Sequence, residues 1–238
     1  MKAKLLILCI FLAVGLCAKA SVVIGGWSGS QTISDGNPVP TSYNFNAQGL
    51  YSSITELTIS LNISGGYNGD LYAAVSHGGV LVPLMNRVGV SSASSFGYGD
   101  AGFSVVLSSA STRDLHFYMN DVGRTFSEGQ LTGTWGADGR DVIPGASTPP
   151  SAYDNATRLT FDSYISNIEK PAAANPNGQW TLLFADLSSG SASTLTSWQL
   201  SVTEAPEPVN VALMVFGGAM GLVGLARNRK IRSLFQRA

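Results

Sequence analysis

Leu57, Ile59, Leu61 and Ile63 alternate with Thr58, Ser60 and Asn62. A repeat of two puts the aliphatic set on one face of an extended strand and the polar set on the other, so this stretch must lie half-buried in a sheet. Gly65-Gly66 and Asn68-Gly69 then mark a turn, Leu71, Ala73 and Val75 share the next inner face, and His77-Gly78-Gly79 turns the chain again. Phe103, Val105 and Leu107 alternate with Ser104 and Ser108, and Leu115, Phe117 and Met119 with His116, Tyr118 and Asn120. Shorter strands are predicted at 158–161, 180–185 and 197–203. No segment of this region sustains a 3.6-residue period over ten residues. Many short strands punctuated by Gly, Asn and Ser predict an all-β domain, a sandwich or jelly roll.

Two stretches do not suit strands. Residues 91–102 are a Ser/Gly loop, and residues 123–153 are a longer one with six glycines and three prolines. A connection of about 30 residues inside a compact domain is usually functional or disordered. Trp135, Asp138 and Asp141 lie within it and form the candidate ligand loop. The two carboxylates could contribute oxygens to a structural Ca²⁺, although Asp138-Gly139-Arg140-Asp141 lacks the EF-hand spacing. Asp70, Asp162 and Asp186 equally suit turn caps. Trp135 and Trp27, read as loop residues, could stack on sugar rings, whereas Trp180 and Trp198 are read as core.

The ends of the chain carry addresses. Lys2 and Lys4 precede an apolar run from Leu5 to Cys17, and Ala18-Lys19-Ala20 supplies a small-x-small site, so residues 1–20 read as a signal peptide cleaved after Ala20. Leu16 before Cys17 does not suit a lipoprotein signal. Near the other end, Pro206-Glu207-Pro208 is followed by an uncharged apolar run, 209–226, and a basic tail, 227–238, that includes Arg227, Arg229 and Lys230. About 18 residues at 1.5 Å each give roughly 27 Å of helix, enough to cross a bilayer core. The basic tail would stay cytoplasmic, leaving residues 21–205 outside.

This partition decides the cysteine chemistry. Both cysteines, Cys9 and Cys17, fall in the expected signal peptide. The exported domain would have no disulfide and no thiolate metal site, and would have to hold together by packing. Residues 21–208 hold six basic and fifteen acidic residues, a formal charge of −9. That charge argues against nucleic acid as a partner.

The tail resembles a PEP-CTERM sorting signal on Pro206, Glu207, Pro208, the apolar run, Arg227, Arg229 and Lys230. The resemblance implies a Gram-negative bacterium, processing by the membrane protease-transpeptidase exosortase, passage through the inner membrane, and an association with exopolysaccharide. The body resembles the P domain, or homo B domain, of proprotein convertases. The matching residues are Leu57–Ile63, Gly69-Asp70-Leu71, Gly178-Gln179-Trp180-Thr181-Leu182, Asp186, and Leu195-Thr196-Ser197-Trp198-Gln199-Leu200. Ser76-His77-Gly78-Gly79 stands where that family usually has Ser-Pro-x-Gly-Thr. This second resemblance implies a jelly-roll-type β-sandwich.

Such a domain usually accompanies a protease, but the residues for one are missing. A subtilisin-type triad needs Asp, His and Ser in mutual hydrogen-bond reach. The chain has two histidines, His77 and His116, and no Gly-Thr-Ser-x-Ala nucleophile segment. His77-Gly78 is similar to the His-Gly that carries a subtilisin histidine, yet His77 reads better as a turn residue and His116 as a solvent-facing strand residue. Fifteen carboxylates allow many pairs, so glycoside hydrolysis is not specified. No His or Cys pair at zinc spacing exists. The expectation is therefore a non-enzymatic exported surface or matrix protein without a cofactor other than a structural Ca²⁺. It would carry a C-terminal transmembrane helix until processing, and would meet exosortase, exopolysaccharide or another surface protein. The alternative is a cell-surface glycan-binding module.

Overall fold

The computed structural model describes residues 21–50, 54–145, 147–161, 175–204, 216–221, 223 and 224. Residues 21–204 form one compact unit; residues 1–20 and 205–238 are grouped as another. Of the second unit, residues 216–221, 223 and 224 are described and are helical. Among the described residues no helix is long and apolar enough to cross a membrane. The expected signal-peptide site at Ala18 and Ala20 lies outside the described residues. So do Asp162, Pro206, Glu207, Pro208, Arg227, Arg229, Lys230 and most of the expected span.

Unit 21–204 is all-β. Its described strands are β1 (Ser21–Ile33), β2 (Asn37–Ala47), β3 (Ile54–Gly65), β4 (Leu71–His77), β5 (Val80–Asn86), β6 (Gly102–Ser108), β7 (Thr125–Ser127), β8 (Gln130–Trp135), β9 (Gly178–Asp186) and β10 (Ser193–Glu204). They form a six-stranded sheet in the order β1-β10-β3-β6-β8-β7 and a four-stranded sheet in the order β2-β9-β4-β5. Their apolar faces share one buried cluster.

The alternation of β3 works as its sequence predicts. Leu57, Ile59, Leu61 and Ile63 are buried, while Thr58, Ser60 and Asn62 lie on the outer face. Gly78 and Gly79 both take positive φ, 59° and 81°, between paired His77 and Val80. That is the two-residue turn whose twist suits a hairpin, and two glycines adopt it without strain. Glu128-Gly129 closes β7 onto β8 in the same way, at φ 52° and 86°.

An aromatic seam ties the sheets along one side. Trp27 of β1 and Trp198 of β10 face Tyr43 and Phe45 of β2, with ring centroids 5.3–5.7 Å apart. Tyr43 also meets Phe184 of β9 edge-on at 6.0 Å. A side chain at Gly25 would place its Cβ 2.6 Å from the Phe45 ring, so glycine is needed to admit that ring.

The structure corrects several sequence expectations. Trp27 lies in a strand, not a loop, and β1 and β2 carry no clean alternation. Residues 123–153 are not a structureless loop: they contain β7 and β8, and β8 runs parallel to β6. Residues 115–119 are not a strand. They bend into a 3₁₀ turn at Tyr118–Asn120, and Leu115, His116 and Tyr118 are all buried. Residues 158–161 contribute only an isolated bridge, Arg140 to Arg158.

The expected register of β10 fixes one test. Trp198, Leu200 and Val202 are buried and Gln199 is exposed. Trp198→Ala should cost about 3–5 kcal/mol, as large-to-small core changes do. Gln199→Ala should cost well under about 1 kcal/mol. Chemical denaturation of the two variants checks this; equal midpoints would contradict the register.

Candidate functional site

The structure does not bring the three residues of the expected ligand loop, Trp135, Asp138 and Asp141, together at an accessible place. Trp135 points into the core, fully buried, with its Nε1 donating to Thr132 O at 2.9 Å and the Arg113 guanidinium 3.7 Å above the ring. It offers no face to a sugar. Asp138 is also fully buried. Its Oδ2 accepts from the Asn86 amide at 2.9 Å and lies 2.7 Å from His116 Nδ1; its Oδ1 accepts from Arg140 Nη1 at 3.1 Å. Asp141 stands apart on the surface, and among the described residues no three His, Cys, Asp or Glu side chains converge to hold a metal.

Asp138 instead belongs to a buried chain of charges. Arg140 bridges it to Asp114, giving Nη2 to Asp114 Oδ2 at 2.9 Å, and Arg158 stands 3.6 Å from Asp114 Oδ1. Burial works to raise the Asp114 carboxyl, but the hydrogen bonds and charge of Arg140, helped by Arg158, outweigh it and hold that group below its ordinary value. Arg140 also donates to Tyr153 O at 3.0 Å, and the amides of Asp138 and Gly139 donate to Leu84 O and Pro83 O. The network pins residues 138–140 against β5 and ties Arg140 to Tyr153.

Both histidines are sequestered. His116 is buried, not solvent-facing; its Nε2 lies 2.9 Å from Val90 O. His77 ends β4 rather than sitting in the turn, stacks on Trp180 with ring centroids 4.0 Å apart, and has its nitrogens 2.9 Å from Gln179 O and 2.7 Å from Asn175 O. Every ring nitrogen faces an oxygen of the fold.

The groups that do meet at an accessible place lie at one end of the sandwich. Four connections converge there: 34–36, 66–70, 87–101 and 187–192. They enclose a cleft of about 840 Å³ lined by Tyr67, Asp70, Arg87, Phe96, Tyr98 and Ser188, among others. Glycines lace the connections together. Gly69 N donates to Tyr98 O at 2.8 Å and Tyr98 N to Val88 O at 3.0 Å. A Cβ on Gly69 would sit 2.2 Å from Phe96 O, so only glycine permits this approach. Asn68 is buried and locks the next layer, donating to Gly102 O at 3.2 Å and Tyr118 Oη at 3.1 Å while accepting from the Gly102 amide at 2.8 Å. Arg87 takes φ 50°, the left-handed region, and its guanidinium reaches Gly69 O and Ser188 Oγ, both at 3.3 Å.

Asp70 and Asp186 sit at the base of this end, where Leu71 and Asp186 are register partners. Both belong to the motifs that carry the P-domain resemblance. Burial raises the Asp70 carboxyl, with Arg87 and Ser188 opposing. Asp186 is fully buried and its Oδ2 has no hydrogen-bond partner among the described residues. Burial pushes its carboxyl up to about 6; the Ser188 amide pulls the other way and the charges of Asp70 and Asp35 add to the rise. Arg87 and Phe96 carried no signal in the sequence: Phe96 lies in the Ser/Gly loop, Arg87 just before it, and neither belongs to a motif.

A second, shallower groove of about 670 Å³ crosses the outer face of the six-stranded sheet, with Ser60, Asn62, Ser104, Ser197 and Gln199 along it.

No protein-family model matches the sequence, and no curated protein matches it significantly. Two solved structures found similar are the serine protease of Aeromonas sobria and that protease in complex with the chaperone ORF2. Each is 14% identical, with a TM-score of 0.38 over 82% and 83% of this chain, and the chain covers 29% of each of those chains. It therefore spans less than a third of their length.

Two tests follow from these groups. Because the folded Asp186 pKa, about 6, lies above the ordinary unfolded value of about 3.9, the native state binds more protons in between. Stability should fall as pH rises from about 4 through 6, by roughly 3 kcal/mol at most. Asp186→Asn should flatten that slope in thermal unfolding at pH 4.5, 5.5 and 7; an unchanged slope would reject the assignment. Because the oxygens of Asp138 are already taken up, the unfolding midpoint should be the same in EDTA and in millimolar Ca²⁺, and a rise with Ca²⁺ would contradict this.

Proposed function

We propose that this protein is a non-enzymatic exported surface or extracellular-matrix protein. Its sandwich, of jelly-roll type and similar to a P domain, is an interaction and structural module. Residues 1–20 direct export, and residues 206–238 hold the chain in the inner membrane until exosortase acts near Pro206–Pro208. The cell surface or extracellular space is its destination.

The observation that carries the non-enzymatic reading is the sequestration of both histidines. General acid–base catalysis needs a side chain within reach of the substrate proton. Both nitrogens of His77 and of His116 face oxygens of the fold, three of them backbone carbonyls and one the Asp138 carboxylate. The carboxyl raised furthest toward neutrality, Asp186, has no exposed surface. The −9 formal charge of residues 21–208 fits a soluble extracytoplasmic domain and not a nucleic-acid partner.

A second reading, the glycan-binding module, loses Trp135 but gains Tyr67 and Phe96, exposed at 46% and 81% at the loop end.

Intact mass of the exported protein tests the sorting reading. The mature chain should begin at Ser21 and end near Pro206–Pro208. Exported protein that retains Arg227 would overturn processing, and exported protein that retains Met1 would overturn signal-peptide cleavage.

A further inference from the structure

We infer that the loop-end cleft is a binding site for a neutral polysaccharide, with Phe96 and Tyr67 as stacking surfaces and Arg87 as the central hydrogen-bond donor. The inference rests on the binding-module reading of the domain and is independent of its export and processing.

The rings come first. Many aromatic side chains of this domain are spent on the core: Trp135, Trp180, Tyr118, Tyr153, Phe103 and Phe184 are each at most 1% exposed, although Phe126 on β7 is 41% exposed. Phe96 is 81% exposed and Tyr67 46% exposed, and both line the same cleft. An aromatic side chain buries large area and loses few rotamers when it is covered, so rings held open beside polar groups make good anchors.

The backbone holds them open. Ideal side chains at Gly99 and Gly190 would lie 3.9 and 3.4 Å from the Tyr67 ring, so glycine there keeps both edges of that ring uncovered. Gly97, at φ 74°, approaches Gly69 and Val88 O too closely for any Cβ. It thereby fixes the segment that presents Phe96. The hydrogen bonds of Gly69, Tyr98 and Asn68 set this geometry before any ligand arrives, which lowers the ordering cost of binding.

The polar groups match hydroxyls. The Arg87 guanidinium has five N–H donors in a planar fork; its described contacts, at 3.3 Å to Gly69 O and to Ser188 Oγ, leave donors over. Ser95, Ser188 and Ser189 add hydroxyls to the lining. A pyranose presents an apolar C–H face to a ring and hydroxyls at its rim, and this cleft supplies both kinds of partner side by side.

Charge selects among glycans. At the cleft Arg87 faces Asp70 and, from the 34–36 connection, Asp35, while residues 21–208 carry −9 overall. That field repels a polyanion such as a uronate polymer. A cationic peptide would be drawn to the field but would meet Arg87 at the centre of the cleft. A neutral chain is the ligand that neither effect opposes.

The test uses the purified full-length chain in a zwitterionic detergent, free of sugar headgroups. An array of neutral oligosaccharides is screened, and hits are measured by titration calorimetry beside alginate and an oligolysine peptide. Saturable binding of at least one neutral oligosaccharide is expected. Phe96→Ala and Tyr67→Ala should each weaken it about tenfold or more, as truncation of an aromatic anchor does, with the melting temperature unchanged. Arg87→Gly should also abolish binding and still fold, because glycine accepts the φ that Arg87 now holds. Gln199→Ala, on the outer groove of the larger sheet, should leave binding unchanged. Absence of any neutral hit overturns the proposal. So does affinity that survives both Phe96→Ala and Tyr67→Ala, loss on Gln199→Ala, or binding confined to alginate or oligolysine.

Discussion

The inner faces of β3, β6 and β10 meet those of β4, β5 and β9 in one buried cluster, and no covalent link stands behind that contact, since both cysteines precede Ser21. Burial of apolar area at about 25 cal/mol per Å² is therefore the main term that keeps the two sheets together. The aromatic seam of Trp27, Tyr43, Phe45, Phe184 and Trp198 extends it to the side where β1 and β2 cross from one sheet to the other. β1 itself is largely exposed along its length. Its attachment rests on pairing with β10 and on inward contacts such as that of Trp27 with Tyr43.

Where the sheets leave off, polar groups take over the task of fixing the chain. Residues 109–158 make a long excursion with little regular structure beyond β7 and β8. They are held by Asp114, His116, Asp138, Arg140 and Arg158. Buried charges are costly unless each finds a partner, and here the pairing is nearly complete: Arg140 alone donates to both Asp114 and Asp138 and to Tyr153 O. Such a network contributes less to stability than apolar packing of equal volume would, but it admits only one arrangement of its members. That is also why His116, the residue most suited by type to catalysis, is unavailable for it.

The legible parts of the sequence were those in which one strand answers to one core. β3 alternates cleanly, and β9 and β10 place Trp180 and Trp198 inward as their spacing indicates. β1 and β2 were missed because Gly25, Gly26 and Gly29 in β1 and Pro38 and Pro40 in β2 interrupt the period, as befits strands at the edges of their sheets. β8 was missed because Gly133 breaks its pattern and its partner β6 lies parallel, with no turn signal between them. The 115–119 stretch misled in the opposite way. Its alternation is real in the sequence, but Leu115, His116 and Tyr118 are all buried, since Asp138, Val90 O, Asp100 and Asn68 supply polar partners inside. Trp135 looked like a loop aromatic for the same reason that β8 looked like a loop. Asp70 and Asp186 could be singled out, but no motif linked them to Arg87 and Phe96, because the cleft joins four separate connections spread from residue 34 to residue 192.

Costly features occur in several places. Glu128 takes φ 52°, Val122 and Ile143 are more exposed than Phe96, and Asn86 Oδ1, Arg113 Nη2 and Trp198 Nε1 are buried without a hydrogen-bond partner among the described residues. Four others meet at one end. Arg87 holds a left-handed backbone that most side chains avoid, at a cost of about 1–2 kcal/mol. Phe96 leaves an apolar ring in water. Asp186 buries a carboxyl oxygen without a partner, and Asp70 beside it is raised by burial as well. Arg87, Phe96, Asp186 and Asp70 fall at the end where 34–36, 66–70, 87–101 and 187–192 meet. Local departures from good packing and good backbone geometry persist only when the surrounding structure determines them and something favours keeping them. The Gly69–Tyr98, Gly97–Val88 and Asn68–Gly102 contacts supply the first condition. What sets this end apart is that Arg87, Asp70 and the exposed rings of Tyr67 and Phe96 line one cleft, so the costs gathered here coincide with a place a ligand can reach.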